Sequence, residues 1–148
     1  MLEEFENPAL APLAALVGIW RITVTNAEFV PPNASLVGEM TGSWLDGGAF
    51  LVLRSVIPSG PPTAVQVIGR NEDRDDYQVL YADERGVSRA YTMMFADGTW
   101  IMKREDPGFH QRFEARVSLD TITGAWFASR DDGGTWAHDF DITYSRTT

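Results

Sequence analysis

With two histidines and no cysteine in 148 residues, any chemistry this chain performs has to run through imidazole, carboxylate, guanidinium or hydroxyl groups. Disulfides and thiolate ligands are excluded, and two histidines cannot supply a three-histidine metal centre. The sharpest candidate is His138, in the stretch TWAHDFDITYSR (135–146). Trp136, His138, Phe140, Ile142, Tyr144 and Arg146 occupy every second position, and Thr135, Ala137, Asp139, Asp141, Thr143 and Ser145 the others. Such a period of two marks a strand with one buried face. His138 is therefore expected on the inner face, as a polar cavity group or, in its neutral form, as a metal ligand.

Other reactive groups are weaker candidates. His110 alternates with Arg112, Glu114 and Arg116 and is expected to face solvent. No Gly-x-Ser-x-Gly nucleophile motif occurs, and Asp139 and Asp141 fall on the face opposite His138, so no catalytic residue is assigned. The acidic turns NEDRDD (71–76) and SRDDGG (129–134) lack the spacing and terminal Glu of a calcium loop, and no metal is assigned either. Arg89, beside Tyr91 on an alternating segment, is a candidate anchor for a carboxylate or phosphate. Arg54 is a second one, in a segment apolar on both faces whose register the sequence leaves open.

These residues need elements to hold them. The pattern predicts one short helix at 7–17, starting at Asn7-Pro8, with Leu10, Leu13, Leu16 and Val17 as its apolar stripe and Gly18 as its end. Ten strands are predicted after it, at 20–26, 36–45, 49–57, 63–70, 77–82, 87–95, 99–104, 109–119, 121–129 and 135–145. They are separated by turn signals such as LDGG, PSGPP, DERG, ADG and DDGG. Short links favour antiparallel neighbours, and closing the sheet removes exposed edges. The expected architecture is an all-β, ten-stranded, antiparallel up-and-down barrel of one domain, 1–148, capped by the short N-terminal helix. Alternation gives its interior an aromatic lining: Trp20, Trp44, Tyr77, Tyr81, Tyr91, Trp100, Phe113 and Trp126 among others. Such an interior has room for one small ligand.

Composition narrows the function. A net charge of −9 with no basic cluster gives no support for nucleic-acid binding and disfavours anionic membranes. No apolar run approaches the ~20 residues of a membrane-spanning helix. The acidic start MLEEFEN has no basic n-region, so a signal peptide is not expected and a cytoplasmic location is.

LAALVGIW (13–20) resembles the Leu-x-x-Leu-x-Gly-x-Trp motif of calycin-type barrels, which include lipocalins, fatty-acid-binding proteins and nitrobindin-like haem barrels. RGVSRAYTMMFADGTWIMKREDPGFHQRFEARVS together with ITGAWFASRDDGGTWAHDFDITYSR resembles the DUF1579-type lipocalin-like proteins of bacteria. The resemblance implies that Trp20 packs at the closed end of the barrel against Arg146, in a cation–π contact. The inward-facing residues then read as a cavity binding a small apolar or amphipathic molecule, walled by Tyr91, Met93, Trp100, Trp126, Trp136 and Phe140 and polarised by Arg89 and His138. The nitrobindin-like likeness adds haem held by His138, and the alternative reading is an isomerase using the same pocket, haem-dependent or haem-free, with His138 as ligand or base. The glycine-rich continuation those barrels carry is missing from GIWRITVTN, so no cofactor is assigned first. A homodimer through an outer barrel face, with outward Phe127 in the contact, is the third reading.

Overall fold

The computed structural model describes residues 8–148. Asn7, expected to start the helix, and the acidic residues read against a signal peptide lie outside them. The ten expected strands are all present: β1 (Gly18–Thr25), β2 (Leu36–Leu45), β3 (Phe50–Val56), β4 (Ala64–Arg70), β5 (Tyr77–Asp83), β6 (Ser88–Ala96), β7 (Thr99–Asp106), β8 (Phe109–Val117), β9 (Thr121–Ser129) and β10 (Ala137–Arg146). Every neighbouring pair is antiparallel, and β1 closes on β10 to make a ten-stranded up-and-down barrel. The ladder Trp20–Arg146, Ile22–Tyr144, Val24–Ile142 leaves no free edge in the sheet. Among the described residues, no helix is long and apolar enough to cross a membrane.

The N-terminal helix is a 3₁₀ helix, Pro8–Leu16. Three residues per turn put positions three apart on one line, and Leu10, Leu13 and Leu16 have that spacing. All three are completely buried. Pro12, inside the segment, lacks an amide hydrogen, so one bond of an α-helical ladder could not form. Val17, which an α-helical stripe would have buried, lies off the line and is only half-buried. Nine residues is long for a 3₁₀ helix, and burial of its leucine row holds it in place.

That helix plugs one end of the barrel. Trp20, fully buried, donates from Nε1 to the Leu16 carbonyl at 3.1 Å. Arg146 lies over the Trp20 ring at 4.1 Å and donates to the Val17, Ala15 and Leu119 carbonyls. On the far wall, the Tyr77 hydroxyl donates to the Ala9 carbonyl at 2.8 Å. Gly42 of β2 is required here because a Cβ would strike the Leu16 carbonyl oxygen. Behind the plug the interior is filled: Trp100 packs edge-on to Phe113 at 4.9 Å, and Met93, Ile122 and Leu51 are fully buried around them. The ambiguous β3 turns Leu51 and Leu53 inward and Arg54 outward to solvent, so Arg54 is not an interior anchor.

Candidate functional site

Among the described residues, none plugs the opposite end of the barrel. A cavity of about 180 Å³ opens there. Its apolar floor includes Ile57, Met102, Trp126, Phe140 and Ile142, and one wall is polar. That wall is built by the β5–β6 hairpin and the start of β8. Asp83 and Val87 close the hairpin, and Gly86 takes φ 81° in its turn, a conformation that favours glycine. Tyr81 and Arg89 are opposite each other across it, both facing inward.

Arg89 is the cation of this wall. Its Nη1 donates to Gln111 Oε1 at 3.2 Å, and its guanidinium lies 5.7 Å from the centres of both the Tyr81 and Phe109 rings. Gln111 is buried, and the same oxygen accepts from the Tyr91 hydroxyl at 2.9 Å. Arg89 is thus positioned by a neutral amide and two rings, while the neighbouring Arg85 is neutralised: its Nη2 is 2.7 Å from Asp83 Oδ2. Asp83 also accepts from the Tyr81 hydroxyl at 2.8 Å and the Arg85 amide at 2.9 Å. Those donors, Arg85 first, hold its carboxyl well below the usual carboxylate range. Burial, then the bond to Asp83, pushes Tyr81 up to about 12. Burial raises Tyr91 as well. Both phenols are therefore neutral donors at physiological pH. Across the cavity, Gln66 contributes a buried Oε1 with no hydrogen-bond partner among the described residues.

The expected site residues separate into three groups. Arg89, Tyr91, Trp126 and Phe140 line the cavity. Met93 and Trp100 face inward but lie in the packed core near the plug, away from it. Trp136 and His138 require correction: both lie on the outside. A β-bulge causes this. Phe127 of β9 pairs with His138 while the adjacent Trp126 pairs with Phe140, so two steps on β10 match one on β9. The extra residue, Asp139, breaks the alternation. Phe140, Ile142 and Tyr144 keep the inner face, and everything before the bulge changes side.

His138 Nε2 consequently lies 2.7 Å from Asp141 Oδ1 on the outer surface, with Asn26 donating to the other oxygen of Asp141 at 2.6 Å. Trp136 packs against His110 and beneath the Arg112 guanidinium, which is 4.9 Å from its ring. His110 is on the outer face as expected, but Trp136 and Asp132 cover it and its side chain is only 15% exposed. Phe127 faces outward, with the Arg112 guanidinium over its ring and His138 edge-on to it. Neither histidine addresses the cavity, so the interior offers no imidazole to haem. The bulge brings Asp139 to the cavity mouth instead, where burial raises its pKa above the ordinary value.

Gln111, an expected inward residue of β8, lines the site, and Gln66, Ile57 and Asp139 join it without having been expected there. Gln111 was legible as an inward position of β8. The Asp139 placement was not, because a bulge has no compositional mark in WAHDFD.

The geometry defines a closed antiparallel barrel with one small, one-ended cavity. The crystal structure of Rv2717c from M. tuberculosis is similar in fold, with a TM-score of 0.68 over 98% of this chain and 100% of that one, at 11% identity. No protein-family profile and no curated protein matches the sequence.

Proposed function

We propose that this barrel binds one small, mostly apolar molecule whose anionic or hydrogen-bond-accepting head meets Arg89. The observation that carries the reading is an inward guanidinium held by Gln111, Tyr81 and Phe109 rather than by a carboxylate, at the rim of an apolar cavity. A cation positioned without a carboxylate partner among the described residues, in a partly desolvated wall, favours an anionic guest. The Tyr91 hydroxyl and Gln111 fix the guanidinium in place, so little side-chain entropy is lost on binding.

Size limits the guest. Apolar cavities of roughly 150 Å³ hold a benzene-sized molecule, and drug-sized ligands use about 300–1,000 Å³. The space of about 180 Å³ therefore suits a single ring or a short chain, with any longer tail leaving through the mouth between Pro61, Pro62 and Phe140. That size, with both imidazoles on the outside, favours a small carboxylate over haem. Asp139 at the mouth selects further: its ionised form repels an anionic guest and favours one with a donor group near the entrance.

The test is titration of short aromatic and aliphatic carboxylates (benzoate, phenylacetate, octanoate) against the matching alcohols. Intrinsic fluorescence serves as the signal, since Trp126 forms part of the cavity floor. Carboxylates are expected to bind about tenfold more tightly than alcohols, the worth of one charge-assisted hydrogen bond. Arg89→Met should erase the difference while the alcohols bind as before. Absence of saturable binding in both series, or a carboxylate preference untouched by Arg89→Met, would sink the reading.

A further inference from the structure

Arg89 and Gln111 make one polar patch in the cavity, and hydrogen-bond polarity fixes how the Gln111 amide lies. A guanidinium has only donors, so the amide end facing Arg89 is the oxygen, which also accepts from the Tyr91 hydroxyl. Gln111 Nε2 is left without a hydrogen bond among the described residues. It belongs to a cavity-lining residue that is only 8% exposed. An anion drawn to Arg89 thus finds the guanidinium and an amide N–H side by side, a match for the two oxygens of a carboxylate.

A second polar patch lies on the β3–β4 wall. Leu53, Gln66, Tyr81 and Arg89 form one row across the sheet, so Gln66 is two strands, roughly 10 Å, from Arg89. Ser55 faces Ala64 one row nearer the mouth, diagonal to Gln66. Both side chains line the cavity, and neither makes a hydrogen bond among the described residues. Gln66 Oε1 is also closed off from solvent. A buried acceptor without a donor is destabilising, and other inward positions of these strands carry Leu51, Leu53 and Ile68. The soft terminal torsion of glutamine lets the amide turn and offer its oxygen to a guest. Between the two patches, the Tyr81 hydroxyl is already committed to Asp83 at 2.8 Å.

Resting on the reading of Arg89 as the anion anchor, we propose that the guest is a small ring carboxylic acid with a hydroxyl on the ring, away from the carboxylate. The carboxylate meets Arg89 and Gln111, and the ring covers the apolar floor at Met102 and Trp126. The hydroxyl meets Gln66, with Ser55 beside it. A hydroxyl both donates and accepts, so it satisfies the Gln66 amide whichever end is presented. A plain aliphatic acid fills the same space but leaves both side chains unpaired, and is the poorer guest.

Isothermal titration of the full chain with benzoate and with ortho-, meta- and para-hydroxybenzoate tests this. The better of the meta and para isomers is expected to bind about fivefold more tightly than benzoate, the worth of one neutral hydrogen bond. In the ortho isomer the hydroxyl bonds to its own carboxylate, and the gain should vanish. Gln66→Leu, close in size, should remove most of the gain while benzoate binds as before, which also reports that the variant is folded. Ser55→Ala should remove a smaller part, and Asp139→Asn should leave the ratio unchanged. Equal binding of benzoate and all three hydroxybenzoates, a gain that persists in the Gln66→Leu/Ser55→Ala double variant, or a gain lost in Asp139→Asn overturns the inference and leaves the carboxylate reading standing. No saturable binding of any of the four acids is instead the failure of the carboxylate reading, and this inference goes with it.

Discussion

Trp20 and Arg146 show how two residues far apart in sequence become one structural unit. The indole is completely buried, bonded to Leu16 and covered by the guanidinium at 4.1 Å. Trp20→Ala would leave a large void at the plugged end, and buried Trp-to-Ala changes cost ~3–5 kcal/mol. A denaturant melt should show a loss of that size, while carboxylate binding at the distant cavity persists in the fraction that remains folded. Unchanged stability with lost binding would contradict the structural role. A second residue-scale expectation concerns acid. Asp131 accepts from Thr135 Oγ1 and N at 2.7 Å each and from Ser129 Oγ at 2.8 Å. These bonds hold its pKa near 2, against an ordinary 3.8. A depressed folded-state pKa stabilises the fold when the carboxylate is ionised in both states, and that contribution disappears as pH falls through the folded value. The melting temperature of Asp131→Asn should therefore lie below wild type above pH 3.8, and the gap should close toward pH 2.

Among the elements, the helix and the last strand were read from sequence with different success. The leucine row of the helix was legible because its spacing of three satisfies an α-helical stripe and a 3₁₀ line alike. Packing of that helix depends on a glycine of β2: Gly42→Ala would drive a methyl group into the Leu16 carbonyl and push the plug outward. Overpacking of this kind costs ~1–3 kcal/mol, and faster amide exchange at Val17 and Trp20 in hydrogen-exchange measurements is the expected signature. In β10 the alternation was legible, but its phase before Phe140 was not. Local pattern fixes the phase of a strand only while the ladder is regular, and Asp139 interrupts it. A one-residue insertion exchanged the roles of His138 and Asp139 and removed the imidazole from the cavity.

For the molecule as a whole, closure is the decisive event. The ladder between β1 and β10 joins the two ends of the chain, and Arg146 completes it by gripping the plug. A chain ending before β10 would expose both barrel edges and remove Arg146 from the Trp20 ring. It is expected to fail to fold as a soluble monomer, with loss of the near-ultraviolet tryptophan signal as the check. An intact near-ultraviolet spectrum in that truncated chain would show that closure is dispensable.

The resemblance to calycin-type barrels implied the Trp20–Arg146 contact, and the sequence by itself determined the strand count, the antiparallel order, the closed all-β architecture and the aromatic interior. Each follows from period-two patterning, turn residues at short intervals or a local motif, all of which operate within a dozen residues. Tertiary structure alone decided which end of the barrel is filled, how small the cavity is, that Arg89 is positioned by Gln111 from another strand, and that His138 faces out. Those outcomes depend on register between strands distant in sequence and on one bulged residue, and neither leaves a trace in the local pattern of side chains.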